Sequence, residues 1–129
     1  GTPKQAPIRY GYDDLTRIAA QHIYAPSRLV SIPKGMSRIP VAHTTDPYLV
    51  RHHMISMEPL ISFRHNGLYV TAVLLTNTEP ERVVLDPRDL RGKWLTGTFQ
   101  HSTLGPAGSV SDSTSVYLIS PQPFWEAYK

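Results

Sequence analysis

The 129-residue chain predicts a mainly β fold, an antiparallel β-sandwich with a short N-terminal helix. Twelve prolines beside a charged fraction of 18% fit a turn-rich β domain better than a helical bundle, since globular chains average about 25% charged residues. Asn66-Gly67 lies between two strand-like runs, the strongest short-range hairpin signal, because a type I′ turn needs positive φ at both central positions. The run "LYVTAVLLTN" alternates with period two and is apolar on both faces, as a central strand covered on each side should be.

Taken in order, residues 1–11 are expected to be a linker or loosely docked arm, and residues 12–129 a single β-sandwich domain. The chain begins Gly1-Thr2-Pro3-Lys4-Gln5 without Met, which reads as an excised piece of a longer protein. In "YDDLTRIAAQHIYAP", Leu15, Ile18, Ala19, His22 and Ile23 fall at the helical spacing of one apolar stripe. Asp13 and Asp14 favour a helix start there through capping and the dipole, and Pro26 stops the helix, because the residue before a proline avoids the α region.

Residues 27–53, with Pro33, Pro40 and Pro47, read as short extended surface pieces. "MISMEPLISFR" follows as a strand whose interruption at Pro59 marks a sheet edge or a bulge. After the Asn-Gly turn, Leu68, Val70, Ala72 and Leu74 should face one way, and Tyr69, Thr71, Val73 and Leu75 the other. "ERVVLD", "KWLTGTFQH" and "STSVYLIS" are the remaining strands, Gly105-Pro106-Ala107-Gly108 is a loop, and "PQPFWEAYK" is one helical turn.

Composition narrows function. Without cysteine there is no thiol catalysis, disulfide or Cys-based zinc site. A nucleic-acid binder concentrates its basic residues on one element, whereas the arginines here are spread along the chain at a net charge of +3. No apolar run approaches the roughly 18 residues of a membrane helix.

The densest polar stretch is "LDPRDLRGKWLTGTFQH", residues 85–101. Its residue stock suits either a catalytic site or a charged turn. The turn reading accounts for more: Asp86 accepts a bond from the backbone two residues on, Pro87 opens a helical turn, and Gly92 ends it in the left-handed region. Paired carboxylates in glycosidases flank a cleft about 5–10 Å wide, whereas Asp86 and Asp89 share one small turn with arginines that would lower their pKa values. No nucleophile elbow or phosphate loop is present. His52 and His53 are adjacent and point to opposite faces of an extended chain. A metal site combining His43, His52 or His53 with Glu58 is weaker than the reading of them as polar loop residues. Hence no catalytic residue, metal or cofactor is assigned. Trp94, Phe99, Tyr69 and Tyr117 are expected in the core or as cross-strand pairs. Phe124, Trp125 and Tyr128 place large apolar area at the chain end, either docked on the body or as a contact surface. With Pro59 at the supposed sheet edge, they are the candidate partner-binding residues.

The stretch 67–120 also resembles TraK-like proteins of integrating conjugative elements, which belong to genomic-island-type type IV secretion systems. The motifs that carry the resemblance are Tyr69-Val70-Thr71-Ala72-Val73, then "LDPRDLRG" at 85–92, then Thr98-Phe99-Gln100-His101, then Leu104-Gly105-Pro106-Ala107-Gly108, with "LTRIAAQHIYAPSRL" upstream. It implies a periplasmic, outer-membrane-associated subunit of the conjugation machine's core complex. Such a subunit assembles with an outer-membrane lipoprotein and a TonB-like scaffold subunit, makes no direct contact with nucleic acid, and has a C-terminal β-sandwich without catalytic residues. Two other classes stand beside it: a sandwich-type peptide- or carbohydrate-binding module, and a hydrolase with an unrecognised site.

Overall fold

The computed structural model describes residues 9–25 and 30–129. Most of the expected 1–11 arm and the Pro26 helix stop lie outside the described residues. Tyr10 is tied down: its N–H donates to His65 Nε2 at 3.0 Å, its hydroxyl donates to the Lys34 carbonyl at 3.0 Å, and its ring lies 4.9 Å from the His65 ring.

Helix α1 (Tyr12–Tyr24) begins where the two aspartates placed it. The Asp14 carboxylate reaches back to the Gly11 N–H at 3.0 Å, satisfying a donor that the first turn leaves unpaired. The stripe points inward: Leu15, Ile18 and Ala19 are buried, and the His22 ring packs 4.8 Å from that of Phe63.

The strands are β1 (Ser37–Ile39), β2 (Ile55–His65), β3 (Leu68–Asn77), β4 (Val83–Val84), β5 (Thr96–Phe99), β6 (Thr103–Leu104) and β7 (Ser113–Ser120), followed by the short helix α2 (Phe124–Tyr128). Among the described residues they form a five-stranded sheet in the order β1-β2-β3-β7-β5 and a two-stranded sheet of β4 and β6, with every pairing antiparallel. Asn66 and Gly67 take φ of 47° and 76°, the left-handed pair that a two-residue hairpin needs.

The central strand β3 is covered on both faces. Val70 and Ala72 meet α1 in a cluster with Ile61, Phe63, Tyr117 and Ile119. Val73 and Leu75 point the other way, into a larger cluster with Met57, Leu118, Leu49, Phe124 and, from the small sheet, Val83 and Leu104. The domain is thus a β-sandwich with a five-stranded sheet, a two-stranded sheet and its flanking loops on one face, and α1 on the other.

β2 serves both cores. Its Ile55 and Met57 belong to the larger cluster, whereas Ile61 and Phe63 belong to the helix side. The change of face comes from a register shift between Pro59, which pairs with Val73, and Ile61, which pairs with Ala72. This is the bulge expected at Pro59. The edge alternative does not hold: β1 pairs with Ser62, Phe63 and Arg64, Asp46 bridges to Met57, and the His43 Nδ1–H donates to the Pro59 carbonyl at 2.6 Å.

Residues 27–53 are more than surface pieces. Among the described ones, Met36 joins the helix-side core and Leu49 and Val50 join the other. Trp94 precedes its strand rather than starting it, because β5 begins at Thr96.

Candidate functional site

The corner after β4 is built as a turn. Asp86 caps a single 3-10 turn (Pro87–Asp89): one carboxylate oxygen accepts the Arg88 N–H at 2.9 Å, and the other accepts Arg88 Nη2 at 2.7 Å. The guanidinium of Arg88, and then its backbone N–H, hold the Asp86 carboxyl below the usual carboxylate range. A carboxylate so held is a poor general acid, because it stays ionised. Gly92 has φ of 124°, and a Cβ there would lie 2.6 Å from Trp94 Cε2. The glycine is therefore needed both for the backbone and for the indole that lies against it. Further on, Gln100 Oε1 accepts the Tyr117 hydroxyl at 2.9 Å, and the His101 N–H donates to Thr114 Oγ1 at 3.0 Å. Asp86, Gln100 and the His101 N–H are thus spent on turn and ladder geometry.

The histidines are separated by the fold. His43 is bound to Pro59, and His65 is buried with Nδ1–H donating to the Gly35 carbonyl at 2.9 Å. The His53 Nδ1–H donates to Glu79 Oε2 at 3.1 Å, and the other carboxylate oxygen accepts the Met54 N–H at 3.0 Å. Those contacts, the Met54 N–H first, lower the Glu79 pKa. Among the described residues no three His, Asp or Glu side chains gather where they could hold a metal ion. Nor is any helix among them long and apolar enough to cross a membrane.

Three of the four candidate partner-binding residues require correction. Phe124 is 2% exposed and Tyr128 9%, both inside the larger core, and Pro59 is buried at the bulge. The C-terminal aromatics form one packed group: the Phe124 ring lies 5.4 Å from Trp94, 5.0 Å from Trp125 and 6.2 Å from Tyr128. The Tyr128 hydroxyl donates to the Asp46 carboxylate, and Trp125 Nε1 donates to the Ala42 carbonyl at 3.0 Å. Burial, and then Asp46, raise the Tyr128 pKa well above that of a free phenol. Proximity of aromatics to a terminus does not reveal that α2 folds back onto the sheet. Only Trp125, half-buried, keeps part of its side chain at the surface.

Two surface concavities were not visible in the sequence. One, of about 840 Å³, is walled by hydroxyls of Ser102, Thr103, Ser113 and Thr114 together with Tyr24 and His101. The other, of about 620 Å³, lies beside the 85–92 corner and is lined by Tyr48, Arg51, His52, Met54 and Arg91 among others. Tyr48 and Met54 are large apolar side chains left 64% and 63% exposed. A hint of the second groove was present in the sequence, in Tyr48, Arg51 and Met54 clustered around a histidine pair, but Arg91 reaches it only through the fold.

These features define a small two-core β-sandwich domain with surface grooves. The family model described as "Protein of unknown function (DUF3438)" matches residues 4–128, and the chain belongs to that family. No curated protein matches the sequence.

Proposed function

We propose that the domain is a structural subunit of a conjugative type IV secretion outer-membrane core complex, acting in the periplasm by binding neighbouring subunits and performing no chemistry of its own. What supports the proposal is the ordered set of motifs between Tyr69 and Gly108, which resembles that of TraK-like proteins. Its polar members make turns and ladders: Asp86 is a cap engaged by Arg88, and Gln100 holds the Tyr117 hydroxyl. A subunit that works by assembly needs a rigid body with contact surfaces. The exposed Tyr48, Met54, Val84 and Leu95 are apolar side chains available for such contacts. An outer-membrane lipoprotein and a TonB-like scaffold subunit are the partners the reading names. Affinity purification of the full-length protein from envelope extracts tests it. Co-purification of those two subunits is the expected result, and recovery of the protein alone, or from the cytoplasmic fraction, would overturn the proposal.

The hydroxyl-lined concavity favours a second reading, a module that binds carbohydrate or peptide, because Ser and Thr hydroxyls beside an exposed tyrosine suit a neutral sugar. Retention on a glycan array that Tyr24→Ala abolishes would favour it over assembly.

A further inference from the structure

The groove beside the 85–92 corner holds cationic charge that the domain does not use. Val50 and Leu90 form an isolated antiparallel bridge, closed on either side by Arg51 N–H to the Asp89 carbonyl at 2.8 Å and Arg91 N–H to the Leu49 carbonyl at 2.7 Å. This bridge carries two arginines, distant in sequence, to one concavity. Neither arginine makes an ion pair among the described residues; Arg91 lies over the Tyr128 ring at 5.8 Å.

The carboxylates nearby are engaged elsewhere. Asp46 accepts the Tyr48 N–H at 2.8 Å and the Tyr128 hydroxyl, and Glu79 is held by His53 and the Met54 N–H. Asp89 makes no ion pair with either arginine. The rim also carries His52, exposed and at φ of 71°. Histidine, with asparagine and aspartate, is one of the side chains that enter the left-handed region most readily, so His52 closes this turn without strain.

We propose that this groove binds an extended acidic peptide segment of another protein, with a carboxylate taken by Arg51 and Arg91 and an apolar side chain resting against Tyr48 and Met54. Arginine matches a carboxylate through its planar fork of donors, and Arg, Tyr and Met are the side chains enriched at interface centres. A membrane surface would ask for a broad basic face, whereas here two cations line one apolar-walled concavity while the other basic residues are spread along the chain. A nucleic-acid strand would need further cations along its backbone. The inference goes beyond the secretion-subunit reading and requires no particular machine.

Fluorescence anisotropy of the intact chain with a labelled peptide of alternating glutamate and leucine tests the proposal. The parallel arms are the glutamine–leucine analogue, phosphatidylglycerol vesicles and a single-stranded oligothymidylate. Saturable binding of the glutamate peptide is expected, weaker by about tenfold or more in Arg51→Gln or Arg91→Gln, which is the size of a lost charge-assisted hydrogen bond. The melting temperature should not move in Arg51→Gln, whose side chain is exposed, and should fall by a few °C at most in Arg91→Gln, which loses its contact with the Tyr128 ring. The double variant Arg51→Glu with Arg91→Glu should instead prefer a lysine–leucine peptide. No binding, equal binding of the glutamine analogue, or indifference to both arginine substitutions would overturn the proposal. Tighter Arg-dependent binding to vesicles or to the oligonucleotide would overturn the peptide assignment.

Discussion

Replacing Phe124 by alanine separates a core role for the C-terminal aromatics from an interface role. The ring is 2% exposed and touches three other aromatic rings, with centroids 5.0 to 6.2 Å away. Its removal leaves a cavity between Trp94 and Tyr128. Neither neighbour is free to fill it, since Trp94 Nε1 donates to the Arg91 carbonyl and the Tyr128 hydroxyl to Asp46. Truncations of this kind cost about 3–5 kcal/mol. That is a large part of the about 5–15 kcal/mol that holds an average domain together. Small domains lose about 4–8 °C per kcal/mol and larger ones about 2–4 °C, so a chain of this size should melt about 10–20 °C lower. Urea unfolding followed by tryptophan fluorescence measures the first quantity, and thermal melting followed by circular dichroism the second. Trp125→Ala should cost less, about 1–3 kcal/mol, because part of the indole is already solvated and one hydrogen bond to Ala42 is lost. A Phe124→Ala midpoint shift equivalent to under about 1 kcal/mol would refute the docked helix.

Val73→Ala removes two methyl groups from a fully buried site and should cost about 2 kcal/mol by urea unfolding, whereas Leu74→Ala, half-buried, should cost less. Glu79 titrates below its ordinary value, so its contribution is complete above that value and is lost as pH falls through the lowered one. The Met54 amide should then lose hydrogen-exchange protection in acid, and Glu79→Gln should remove that pH dependence. Tyr117 and Tyr128 are raised, Tyr117 mainly by burial and then by Tyr24, so they stabilise the fold fully below the ordinary phenol value and lose that contribution as pH rises through the raised ones. Ultraviolet titration should therefore show Tyr117 and Tyr128 ionising late, together with unfolding, and their ionisation at the ordinary phenol value in the folded protein would contradict the burial.

Where local chemistry decides the backbone, the sequence was informative. Asn66-Gly67 has few other uses than a tight hairpin, Asp86-Pro87 caps its own turn, and the stripe from Leu15 to Ile23 can bury itself only as a helix. β7 matches the run "STSVYLIS" residue for residue. Strands β1 and β6, with three and two residues, are too short to show a period, and their pairing is set by partners far along the chain. The same limit hid the groove, because the Val50–Leu90 bridge that joins Arg51 to Arg91 has no local signature. The aromatic tail stayed open between docking and contact surface for another reason: burial of Phe124 depends on the sheet face that α2 meets, and composition at a terminus carries no information about that face.

The bulge at Pro59 ties these levels together. Side chains alternate along a strand, so Met57, Ile61 and Phe63 would share one face of an uninterrupted β2. The two cores require them on opposite faces: Met57 against Leu75, and Phe63 against Val70 and the His22 ring. An unpaired residue, Leu60, supplies the change of parity, since Pro59 pairs with Val73 and Ile61 already pairs with the next residue back, Ala72. Proline suits the position because it has no N–H to leave unsatisfied where the ladder breaks, while its carbonyl is taken by His43. The residue that first looked like the mark of a sheet edge is thus what allows one strand to line both the helix-side core and the core that α2 closes.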